Sequence, residues 1–137
     1  MKHSDRGDAT VEMVLLTPLL ILVLTFVVLA GRISSTDADV ASAAADAARA
    51  ASQRQTPAAG AADARTAAVS TLADKHVSCH GGPAVTVDTA RFGHGGDVTV
   101  TLACTVSLAD LAVAGIPGSR TVRASASVPI DTRRSGP

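Results

Sequence analysis

The sequence predicts an α+β protein: a long N-terminal transmembrane and amphipathic helix, a second Ala-rich helix and a small three-stranded antiparallel sheet. Three observations carry this. Residues 13–30, MVLLTPLLILVLTFVVLA, form an apolar run without a charge. Ala-rich sequence with scattered Asp and Arg follows it for some forty residues. Beyond His80-Gly81-Gly82-Pro83 the pattern changes to strict alternation of apolar and polar side chains, the period of a half-buried strand.

The apolar run comes first. A helix needs about 20 apolar residues to cross the hydrocarbon core of a bilayer. The run meets that length once Val11 and Gly31 are added. Pro18 leaves one backbone carbonyl without its donor, which membrane helices tolerate. Thr17 and Thr25 are placed to return their hydroxyls to backbone carbonyls one turn back. A buried core helix is the soluble alternative, but the remaining chain is too poor in bulky apolar residues to wrap it on all sides. A cleaved secretory signal is the other alternative, with Val28-Leu29-Ala30 as its small-residue site. The run is longer than a signal core, and acidic residues precede it. Lys2, Arg6 and the initial amine lie before the run, while Arg32, Asp37 and Asp39 follow it. The positive-inside rule therefore places the N-terminus in the cytoplasm and everything after Gly31 outside.

Residues 33–54 continue the helix, because Ala has the highest helix propensity. Asp46 and Arg49 stand three apart and can pair on its surface. Thr56-Pro57 and Gly60 mark a break. A second helix is expected over about 58–75, with Ala68, Val69, Leu72, Ala73 and His76 as its apolar stripe. A flexible Ala-rich stalk is the competing reading of this region.

The strands follow. Val85 and Val87 alternate with Thr86 and Asp88. Gly93-His94-Gly95-Gly96-Asp97 is a turn cluster, in which His94 reads as a solvated loop residue. Val98, Val100, Leu102, Cys104, Val106 and Leu108 then alternate with Thr99, Thr101, Ala103, Thr105 and Ser107. Two such runs around a Gly-rich turn read as a hairpin. After a loop over 112–119, Val122, Ala124, Ala126, Val128 and Ile130 make a third run. Pro129 fits a strand end or an edge. The organisation expected is a leader over 1–7, a membrane helix over 8–31, an Ala-rich helical region over 32–78, a β domain over 79–132 and a tail over 133–137.

The borders of the apolar run carry a resemblance. Glu12 is the chain's sole Glu and stands where the run begins. Arg6-Gly7 precede it, and a cut after Gly7 would make Asp8 the first residue and Glu12 the fifth. Residues 6–31, RGDATVEMVLLTPLLILVLTFVVLAG, resemble the N-terminus of TadE-like pseudopilins of the tight-adherence pilus. The resemblance implies processing between Gly7 and Asp8 by a prepilin peptidase. It also implies an assembly role for Glu12, whose carboxylate would pair with the free amine of a neighbouring subunit. Opposite charges relieve each other's burial cost and fix the register of packed helices. A long helix lying on a small antiparallel sheet is likewise the general plan of pilin-like proteins.

Two cysteines remain. In an oxidising exterior, Cys79 and Cys104 are expected to form a disulfide in a small domain with little core. The alternative is a zinc site built from His76, Cys79, His80 and Cys104.

Composition excludes much else. Lys plus Arg and Asp plus Glu both number 12, and the chain has two Phe, no Trp and no Tyr. There is neither bulk basic charge nor an aromatic platform for nucleic acid. No nucleophile-elbow, P-loop or zincin motif occurs. Gly93 to Gly96 joins two strands and lacks the helix that would hold a phosphate. Arg120, Arg123, Arg133 and Arg134 make the C-terminal end basic and read as solvated, or as a contact for anionic envelope polymer. The reading is therefore of a protein that is not an enzyme and has no cofactor and no metal. It is a minor pseudopilin-like structural component of a tight-adherence pilus or related secretion system. Its partners would be other pilin-like subunits, pilus assembly membrane proteins, the prepilin peptidase and membrane lipid. It would reside in the cell membrane as a single-pass protein, or in an extracellular pilus. The alternative is a membrane-anchored envelope domain with an adhesive or binding role outside any pilus.

Overall fold

A computed structural model describes residues 5–111 and 117–131, with side chains described for 11–110 and 117–131. Residues 133–137, with Arg133 and Arg134, lie outside the described residues, as do residues 1–4 and most of the loop over 112–119.

The chain begins in one unbroken helix, α1 (Asp5–Ser52). At 1.5 Å per residue its 48 residues extend about 72 Å. Pro18 lies inside α1 without ending it. Thr17 Oγ1 donates to the carbonyl of Met13 at 2.7 Å, and Thr25 Oγ1 to that of Ile21 at 2.8 Å. These are the back-bonds expected of hydroxyls in an apolar helix.

α1 has two unlike halves. No residue from Val11 to Ala30 is buried. From Val40 onward one face is closed, with Val40, Ala43, Ala44, Ala47, Ala48 and Ala51 fully buried. Their spacing of three and four places them on one stripe.

The second helix, α2 (Pro57–Asp74), folds back along this stripe. Thr56 is its N-cap, with extended backbone and a hydroxyl that accepts from the amide of Ala59. Pro57 occupies the first helical position, where its missing N–H costs nothing. The buried face of α2 is Gly60, Ala64, Ala68 and Leu72. Of the apolar stripe read from the sequence, Ala68 and Leu72 are buried, but Val69 is 52% exposed, and Ala73 and His76 are exposed too. Helix contact here selects smallness rather than hydrophobic bulk. A Cβ on Gly60 would stand 3.1 Å from the Ala51 carbonyl oxygen and 3.1 Å from the Phe92 ring. Arg54 pairs with Asp63 across the hairpin, and Lys75 Nζ reaches Asp39 at 3.3 Å.

The end of α2 is a Schellman cap. The amide of Val77 donates to the Leu72 carbonyl, and that of His76 to the Ala73 carbonyl. His76 takes the left-handed position, at φ 56°, where glycine is the usual occupant.

Three strands follow: β1 (Ala84–Asp88), β2 (Asp97–Ser107) and β3 (Ser119–Pro129). They form an antiparallel sheet in the order β1-β2-β3. Ala84 pairs with Ala103 and Asp88 with Thr99; Asp97 pairs with Pro129 and Ser107 with Ser119. The β1–β2 connection is set by Asp88, whose carboxylate accepts from the amide of Ala90, and by Gly96. A Cβ at Gly96 would fall 1.7 Å from the Arg91 carbonyl oxygen, so only glycine fits.

Val98, Val100, Leu102, Cys104 and Val106 are buried from β2, and Val122 from β3. α1 packs on β2 and β3, and α2 reaches β1. The opposite face of the sheet carries cross-strand hydroxyl pairs, Thr99 with Ser127 and Thr105 with Thr121. The alternation ends one residue earlier than the sequence suggests. Leu108 belongs to a short helix, α3 (Leu108–Leu111). It turns there because the Ser107 hydroxyl accepts from the amide of Ala109, while the amide of Leu108 donates to the Gly118 carbonyl.

Candidate functional site

The site is the N-terminal half of α1. Every large apolar side chain from Val11 to Val28 is exposed, at 47% to 72%. The exposure runs round the whole circumference, not along one stripe. A helix apolar on all sides is stable only inside a protein or a membrane, and no other segment among the described residues covers this one. Residues 11–30 extend about 30 Å, the thickness of a bilayer core. α1 is thus a candidate membrane anchor, the one such helix among the described residues.

Glu12 stands exposed at the start of this surface, and no ion pair to it forms among the described residues. Gly7 and Asp8 fall in the first turns of α1; their side chains lie outside the described set. The three residues singled out for processing and assembly therefore share one end of one helix. They are remote from the cysteines, which lie in the folded head.

Cys79 and Cys104 are bonded to each other, with a Cα–Cα distance of 5.1 Å, inside the usual range for a disulfide. Cys104 is fully buried on the apolar face of β2, and Cys79 lies between α2 and β1. Sulfurs joined in this way cannot serve as thiolate ligands, so the proposed zinc set loses half its members. Among the described residues no group of three or more His, Cys, Asp or Glu side chains is placed to hold a metal.

Arg120 is exposed, as read, and also pairs with Asp37 of α1 at 3.2 Å, with both side chains 43% exposed. Arg123 is exposed. The pair ties the start of β3 to α1 just beyond the apolar run. What the sequence did not reveal is a cleft at this same level, lined from α1, the end of α2, β2 and α3. Its residues are far apart in the chain and follow no motif.

An apolar helix exposed all round, entered at Glu12 and continuous with a small α+β head, defines an α+β protein with one candidate membrane anchor. The family model described as TadE-like protein matches residues 7–49, so the segment that carried the N-terminal resemblance is TadE-like. The match begins at Gly7 and stops within one turn of the end of α1; α2 and the sheet lie outside it. No curated protein and no solved structure matches the chain.

Proposed function

We propose that the chain is a minor pseudopilin-like component of a tight-adherence pilus or a related secretion assembly. It acts by packing its N-terminal helix against those of other subunits. The observation that carries this is Glu12, the chain's sole Glu, at the mouth of a helix whose apolar surface is exposed on every side. In this reading residues 1–7 are a leader, and a prepilin peptidase cuts between Gly7 and Asp8. The new amine of Asp8 on one subunit meets Glu12 on its neighbour. Removing one partner of such a pair within a low-dielectric setting leaves a buried charge uncompensated. The pairing thus sets the axial register of adjacent helices.

The N-terminus is cytoplasmic and residues 32–131 are extracytoplasmic. Lys2 and Arg6 ahead of the apolar run support this orientation. The Cys79–Cys104 disulfide supports it independently, since such bonds persist in oxidising compartments. The head, made of the Ala-rich helices and the β domain, caps, primes or connects the filament. The binding partners are other pilin-like subunits and the membrane proteins of the assembly machine.

The test is Glu12→Ala in cells that assemble the pilus. The variant should still insert and still form its disulfide, but it should fail to crosslink to neighbouring subunits through the N-terminal helix. Unchanged crosslinking and pilus yield would remove the pairing mechanism. It would leave the membrane-anchored envelope domain as the better account.

A further inference from the structure

A cleft of about 340 Å³ lies where α1 leaves its apolar run. Arg32, Thr36 and Asp39 of α1 line it, with Lys75 and His76 from the end of α2 and Asp110 from α3. The assembly reading makes no use of it.

Its charges divide simply. Lys75 and Asp39 neutralise each other at 3.3 Å. Thr36 turns its hydroxyl to the Arg32 backbone carbonyl. Arg32 and Asp110 are left: among the described residues neither side chain forms an ion pair or a hydrogen bond. The lining therefore offers one unspent cation and one unspent anion.

Its depth is set by α1. Arg32 is two residues past Ala30, about 3 Å beyond the end of the 30 Å apolar segment. The polar headgroup layer occupies roughly the next 5–8 Å on each side of the core. Arg32 thus sits at the level of the lipid phosphates once α1 spans the bilayer. His76 adds a second sign of specialisation, since it occupies at φ 56° a cap position that favours glycine, and it lines this cleft.

We propose that the cleft seats the headgroup of a zwitterionic, ethanolamine-type phospholipid. The phosphate lies toward the Arg32 guanidinium and the ammonium toward the Asp110 carboxylate. A purely anionic headgroup would satisfy Arg32 but leave Asp110 facing like charge. A choline headgroup carries the positive charge but has no N–H to donate to a carboxylate, which only accepts. Ethanolamine meets both demands. The site would hold the head at a fixed height and rotation on the membrane surface, a constraint that a single helix in fluid lipid does not supply. The proposal rests on α1 spanning the bilayer, not on the pilus reading.

The experiment uses the full chain in nanodiscs of mixed phosphatidylcholine, phosphatidylethanolamine and phosphatidylglycerol. Native mass spectrometry counts the lipids that the ejected protein retains. Wild type should retain phosphatidylethanolamine over the other two by about tenfold, the equivalent of one charge-assisted contact. Arg32→Gln should lower retention of every phospholipid. Asp110→Asn should keep phospholipid but lose the preference for ethanolamine over glycerol. Both side chains are exposed, and circular dichroism checks that each variant keeps its fold. Identical lipid profiles in wild type and both variants would overturn the proposal. So would tight binding of soluble phosphoethanolamine with no preference among the lipids, which would make the cleft a small-solute site. If the chain is absent from the nanodisc fraction, the spanning reading fails and the proposal falls with it. If it inserts but shows no selectivity, the headgroup site alone is refuted.

Discussion

Replacing Cys79 by Ser should unfold the head far more readily while leaving the N-terminal helix in place. The bridge between Cys79 and Cys104 spans a sequence separation of 25 residues. In the chain-entropy model, closing a loop of that size in the unfolded state contributes about 3.5 kcal/mol at 25 °C. The head has little else in reserve. Most of the buried residues of α1 and α2 are alanines, and each contributes little apolar area. A domain of this size has a stability of about 5–15 kcal/mol, so the bond is a large share of it. The melting midpoint should fall by roughly 15–25 °C, from the usual 4–8 °C per kcal/mol for small domains. Cys79→Ser is the clean perturbation, because it leaves a thiol at Cys104 that behaves as a small apolar group. Cys104→Ser should cost about 1–3 kcal/mol more, because its hydroxyl would be buried in an apolar layer without a partner. The assay is far-ultraviolet circular dichroism of the full chain in mild detergent during urea and thermal unfolding. With no Trp or Tyr in the chain, backbone signal is the practical probe. Detergent holds the residues 11–30 helical, so the change reports on the head. If Cys79→Ser matches wild type within about 0.5 kcal/mol, the cysteines are not bridged and the core is stronger than its alanines suggest. If Cys104→Ser costs no more than Cys79→Ser, the placement of Cys104 on the buried face is wrong.

Other outcomes follow from the packing and the caps. Gly60→Val should destabilise the head by about 2–3 kcal/mol in the same unfolding assay. Its side chain must displace the Ala51 carbonyl or the Phe92 ring, and overpacking of that kind outweighs the helix propensity gained. Phe92→Ala in that background should recover part of the loss if the ring is the obstacle. His76→Gly should raise stability by up to about 1 kcal/mol, because glycine takes the left-handed cap position without strain. An unchanged or lower midpoint would mean that the His76 side chain contributes contacts that offset its backbone cost.

The strands were legible because their signal is local. Alternation from Val98 to Val106 with β-branched residues, opened by Gly95-Gly96, specifies a face without help from the rest of the chain. The long apolar helix was legible for the same reason: the uncharged run is continuous in the chain. The burial phase of α2 was legible only at Ala68 and Leu72. Hydrophobic bulk pointed to Val69, whereas α1 and α2 approach so closely that only Gly60, Ala64 and Ala68 fit between them. A sequence rich in Ala gives no moment from which to read that choice. α3 was missed because the Ser107 hydroxyl, and not a Gly or Pro, turns the chain. Of the candidate site, Glu12 and the cysteines stood out by rarity, one Glu and two Cys. The cleft could not be read from the sequence, because Arg32, Lys75, His76 and Asp110 meet only through the tertiary fold. Surrounding residues gave Arg32 no mark beyond its place after the apolar run.

The central claim is that Glu12 and the helix behind it form an assembly device exposed by processing. The most direct measurement is the intact mass of the chain, recovered from membranes of cells that make the pilus, with the N-terminal peptide sequenced by fragmentation. The account predicts a mature chain that starts at Asp8, with Glu12 as its fifth residue and the disulfide intact. A chain that retains residues 1–7, or one that starts at Gly31 and has lost the apolar helix altogether, would contradict it.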